Sequence, residues 1–108
     1  MPQYLLQATY TPEAWAAMVK SPQNRLEAVR PVVQKLGGKI EGGWLSFGEY
    51  DIAVICELPN NVSAAAFSMA ASAGGAMKAV KTTPLMSIEE AMEAMRKAGG
   101  AGYRPPTH

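Results

Sequence analysis

Phe47-Gly48-Glu49-Tyr50-Asp51-Ile52-Ala53-Val54-Ile55 is the stretch on which the fold of this chain turns. Gly48 tolerates φ > 0 because it has no Cβ, and an Asp51 side chain can bond its own backbone, so the two predict a tight polar corner. A β-branched run follows at once, which makes the corner the turn of a hairpin between two apolar strands. The strand before it is expected over Lys39 to Phe47, weakened or bulged at Gly42-Gly43. The strand after it runs from Asp51 to Leu58, with Ile52, Val54, Cys56 and Leu58 on one face and Ala53, Ile55 and Glu57 on the other.

Alternation in Gln3 to Tyr10 predicts a first strand, with Tyr4, Leu6, Ala8 and Tyr10 sharing a face. Thr11-Pro12-Glu13 opens a helix: Thr11 caps, Pro12 takes the first position and Glu13 meets the positive end of the dipole. Ser21-Pro22 repeats that signature and predicts a second, longer helix ending near Leu36. Leu26, Val29, Val33 and Leu36 form its apolar stripe, Pro31 strains its middle, and Gly37-Gly38 closes it. Val62 to Ala73 is a small-residue helix after the Pro59-Asn60-Asn61 turn. Met77 to Thr83 is a fourth strand stopped by Pro84, and Ser87 with Glu90 forms a capping box for a last helix. Gly99 to Gly102 releases the chain into an extended Tyr103-Arg104-Pro105-Pro106 tail.

The order is βαββαβ plus a C-terminal helix. This predicts an α+β, ferredoxin-like domain, a four-stranded antiparallel sheet with helices on one face. One domain over residues 1–98 and a tail over 99–108 are expected. The other sheet face would present Leu5, Gln7, Thr9, Ala53, Ile55, Glu57 and either Val80 or Lys81. Such a face is too apolar to stay wet and too polar for an ordinary core. A second copy of the chain, paired face to face, is the expected partner.

Composition points the same way. Of 108 residues, 48% are hydrophobic and 18% charged, so polar surface is thin. A net charge of +1, carried by scattered lysines and arginines, disfavours nucleic acid. One cysteine, Cys56, forms no internal disulfide, no signal peptide is visible, and no apolar run is long enough to cross a bilayer. A cytoplasmic protein without membrane partners is the expectation.

Several segments together resemble the GYD family, small bacterial and archaeal proteins named for a Gly-(Tyr)-Asp motif. They are Tyr4-Leu5-Leu6 with Ala8-Thr9-Tyr10-Thr11, Leu36-Gly37-Gly38-Lys39, Phe47-Gly48-Glu49-Tyr50-Asp51, and Thr82-Thr83-Pro84-Leu85. The resemblance spans roughly residues 3–95 and implies a dimeric α+β barrel type of assembly. The family brings no established catalytic residue. By fold analogy its wider relatives include cofactor-free monooxygenases, isomerases and haem enzymes.

The candidate chemistry is sparse. The single histidine is His108, so a histidine-ligated haem has no internal ligand, and no Cys/His spacing resembles a zinc site. Glu49 and Asp51 can hold a hard cation, although carboxylates on a turn are usually solvated. No metal and no cofactor is expected. The catalytic candidates are Tyr50, Asp51, Glu57 and Trp44; the ligand-binding candidates are Tyr10, Trp44, Lys81 and Tyr103. Each has a structural reading beside the chemical one. Tyr50 plugs the corner of the core, Asp51 caps backbone amides, and Glu57 and Lys81 pair across the sheet. Met69, Met77, Met92 and Met95 are expected as core filler. Three functions remain: a binding or assembly module that takes a small organic molecule, a cofactor-independent enzyme that transfers a proton or adds oxygen to a small aromatic or enolic substrate, or a purely structural oligomer with no pocket large enough for a ligand.

Overall fold

The computed structural model describes residues 1–106. His108, the one histidine weighed as a metal or haem ligand, lies outside the described residues. The elements are β1 (Gln3–Tyr10), α1 (Pro12–Lys20), α2 (Arg25–Lys35), β2 (Lys39–Leu45), β3 (Ile52–Glu57), α3 (Asn61–Ala73), β4 (Met77–Leu85) and α4 (Ile88–Gly100). The strands form one antiparallel sheet in the order β2-β3-β1-β4. This is the expected α+β, ferredoxin-like layout.

The core lies on one face of that sheet. Tyr4 and Leu6 from β1 and Val54 and Cys56 from β3 meet Val33 of α2 and Ala64 and Phe67 of α3. Leu26 and Val29 of α2 pack at its margin. Gly43 lies directly under the tip of the Leu26 side chain, which occupies the space a Cβ would take. Tyr4 reconciles burial with its hydroxyl by donating to the Asn61 amide oxygen at 2.7 Å.

Several local expectations are corrected. Ser21 does not start α2; it ends α1, its N–H bonding the Ala17 carbonyl at 2.9 Å. Asn24 caps α2 instead, its side chain accepting from the amides of Leu26 and Glu27. Pro84 does not stop β4, which continues to Leu85 opposite Tyr4 and Gln3. β4 is an edge strand, where a missing N–H is tolerated. α4 runs through Gly99 and ends at Gly100. The methionines are not all core: Met69 is 70% and Met95 68% exposed. β2 carries a bulge, but ahead of the expected Gly42-Gly43: the register shifts between Ile40 and Gly42, and the two glycines pair with Ile55 and Val54.

Register places the second face residue by residue, because directly opposed residues point the same way. One row reads Trp44, Ala53, Gln7, Lys81, and the next Gly42, Ile55, Leu5, Thr83. Lys81 therefore belongs to this face, and Val80, opposite Ala8, to the core side. None of α1, α2 or α3 contributes to the core from this second face. Among the described residues no helix is long and apolar enough to cross a membrane.

Candidate functional site

β1 runs straight into α1, and that junction is organised by Asp51. The corner between β2 and β3 is a loop over residues 46–51, tied by Ser46, whose hydroxyl donates to the Tyr50 carbonyl at 2.6 Å. Gly48 does not use the left-handed region, and a Cβ there would meet open space. Nor does the Asp51 side chain bond its own segment. Its Oδ2 accepts from the Tyr10 amide at 2.9 Å and from the Trp15 indole at 3.2 Å. One carboxylate thus joins the hairpin corner, the end of β1 and the first helix. Two N–H donors on one anionic oxygen make these the stronger kind of hydrogen bond.

Above that junction opens a cleft of about 290 Å³, lined by Tyr10, Trp15, Met18, Pro22, Gln23, Arg25 and Leu45. The Tyr10 and Trp15 rings meet edge to face, 5.5 Å between centroids. The Arg25 guanidinium lies over the Tyr10 ring at 5.6 Å, a cation–π placement. Arg25 pairs with no carboxylate among the described residues, where the ion pairs are Arg30–Glu27 and Lys39–Glu57. The Tyr10 hydroxyl is buried and has no hydrogen-bond partner there. Burial raises its pKa above the usual phenol value, against the opposing pull of Arg25. The phenol is therefore neutral near pH 7, a donor rather than a base.

The sequence candidates divide between three places. Tyr10 and Asp51 belong to the cleft, Tyr10 as wall and Asp51 as its support from beneath. Tyr50 and Lys81 come together elsewhere, in a shallow concavity of about 320 Å³ with Gln7, Ser46, Gly48 and Glu49. Trp44 lies in the same row as Lys81, folded over Gly42 and 59% exposed. Glu57 does not meet Lys81: it stands opposite Gln3, whereas Lys81 stands opposite Gln7 four residues along β1. Its partner is Lys39 at 3.6 Å, a pair open enough to contribute little. Tyr103 is 79% exposed beyond α4 and reaches neither cavity. No group of three or more metal-ligating side chains occurs among the described residues.

Sequence reasoning missed Trp15, Met18 and Arg25. Trp15 carried a usable signal, an indole one turn after a capped β–α junction, since its N–H needs an acceptor when half-buried. Arg25 carried none; its role appears once α2 is seen to start there.

A four-stranded antiparallel sheet with its core on one side and an aromatic cleft at the β1–α1 junction defines a small α+β domain of ferredoxin-like type. The chain belongs to the GYD domain family, whose model matches residues 4–95. No curated protein and no solved structure matches it significantly.

Proposed function

We propose that this GYD domain is a homo-oligomeric module that binds a small organic molecule in the Tyr10 cleft, in the cytoplasm. The observation that carries the reading is an uncompensated guanidinium, Arg25, at the edge of a cleft walled by Trp15, Met18 and Leu45. Arginine offers a planar fork that fits a carboxylate, and the apolar walls suit a ring. At about 30 Å³ for each water-sized group, a cleft of about 290 Å³ accommodates roughly ten heavy atoms. An aromatic acid is the matching class. The lone, fully buried Cys56 thiol suits a reducing compartment. Self-association is supported by the second sheet face, where Leu5, Ala53 and Ile55 stand beside the exposed Trp44.

Benzoate is the probe. Titrated into the protein, it is expected to move the Trp15 indole N–H resonance, with at least a tenfold weaker Kd in Arg25→Gln. Equal binding by Arg25→Gln, or an unmoved Trp15 signal at millimolar benzoate, overturns the cleft reading. Sedimentation showing a monomer at millimolar protein overturns the self-association.

A further inference from the structure

α4 is the one element of this fold whose apolar side touches almost nothing. Ile88, Ala91, Met92 and Met95 recur at helical spacing on one side of it. Yet Ile88 is 74%, Met92 48% and Met95 68% exposed, and no residue of the helix is buried. The helix stands away from the body. The molecule is 58 Å long, and its radius of gyration is 17.5 Å where about 13 Å is usual for a compact chain of this length. A helix of 13 residues is marginal in water without tertiary packing, even with the complete Ser87–Glu90 capping box seen here.

We infer that α4 is an exchanged arm, seated in the assembled protein on the Trp44-Leu45-Phe47 rim of a second copy. This rests on the face-to-face pairing proposed above and adds to it. Trp44, Leu45 and Phe47 are 59%, 60% and 97% exposed, an uncovered apolar rim around the end of β2 with Trp44 on the open sheet face and Leu45 on the opposite side. Area favours this occupant. Four strands about 4.8 Å apart and about 20 Å long give a flat footprint of roughly 400 Å² per copy, so paired sheets alone cover only about 800 Å² in total. That is below the roughly 1,200 Å² at which stable interfaces begin. α4 is about 20 Å by 10 Å, and two arms with their seats add a further 800 Å² or so, bringing the total to the usual size. A lipid surface fits less well. The polar side of α4 holds Glu89, Glu90 and Glu93 against Arg96 and Lys97, whereas helices that lie on membranes are rich in Lys and Arg. Leu45 is shared between this rim and the Tyr10 cleft, so the seated arm borders the mouth of the ligand site.

The test uses full-length protein. Arg96→Cys, spin-labelled and free of isotope, is mixed with an untagged ¹⁵N-labelled chain; the buried Cys56 does not compete for the label. Broadening of the Trp44 indole and Phe47 amide signals of the untagged chain is expected. In the paired variant Ile88→Glu with Met95→Glu, the dimer Kd is expected to rise at least tenfold. A dimer of unchanged Kd in that variant, or Trp44 and Phe47 signals of the untagged chain left unbroadened in the mixed dimer, overturns the arm while leaving the sheet pairing standing. So does co-sedimentation with phosphatidylserine vesicles that the same variant abolishes. A wild-type chain that is monomeric throughout sinks the pairing and the arm together.

Discussion

Asp51 shows how one side chain of a turn comes to hold a fold. The corner needs only a residue that tolerates a bend, but the carboxylate reaches past the corner to the Tyr10 amide and the Trp15 indole. Tyr10 is 3% exposed, so an amide deprived of its acceptor there has little water to turn to. Asp51→Ala is expected to cost about 2–3 kcal/mol in urea unfolding, and Asp51→Asn, which keeps one acceptor oxygen, about 1 kcal/mol. Cys56 gives a second outcome, in pH. It is fully buried, and burial raises its thiol pKa from 9.0 to about 11, with the Glu41 charge adding to the shift. The folded state holds the proton more tightly than the unfolded chain. Stability is therefore complete below pH 9.0 and is lost as pH rises towards about 11. Urea midpoints measured across that window are expected to fall in the wild type and to flatten in Cys56→Ala. Tyr10 contributes in the same direction, since burial raises its phenol as well.

Among the elements, helix and strand ends separate backbone need from side-chain habit. A Cβ at Gly38 would drive into the Glu57 carbonyl, where α2 hands over to β2 beside the end of β3. A Cβ at Gly48, in the motif that names the family, meets nothing. Gly38→Ala is thus expected to lose about 2 kcal/mol or more, and Gly48→Ala to stay within about 0.5 kcal/mol of wild type, by thermal or urea unfolding. The two caps are distinguished in the same way. Asn24→Ala removes the acceptor for two α2 amides and is expected to cost about 1 kcal/mol. Ser21→Ala, at the C-terminal end of α1, keeps the backbone bond to Ala17 and is expected to change little. Two residues compete to open α2, Ser21, which a linear reading favours, and Asn24, which the structure uses. The first lost because α1 still needed its last turn closed.

The assembled fold leaves two apolar surfaces on one small chain, the second face of the sheet and the stripe of α4. In the paired form proposed above, mass action links stability to concentration. The melting temperature of the wild type is expected to climb with protein concentration, and Ile55→Glu, which places a charge in the middle of the open face, is expected to abolish that dependence. A flat concentration response in the wild type tells against self-association.

The strands, their alternation and the Ser87–Glu90 capping box were legible in the residues because each depends on neighbours a few positions away. Period-two burial in β1 and the Ser87–Glu90 cap are short-range physics. The inner and outer faces of β3 followed for the same reason. Partners far apart in the chain were beyond such reading. Glu57 met Lys39 and not Lys81, Asp51 met Tyr10 and Trp15, and Arg25 came to lie over Tyr10, because strand order and helix placement decide what is near what. α4 shows the difference plainly: periodicity marked its apolar stripe, but that the stripe finds no cover within its own chain is a property of three-dimensional packing.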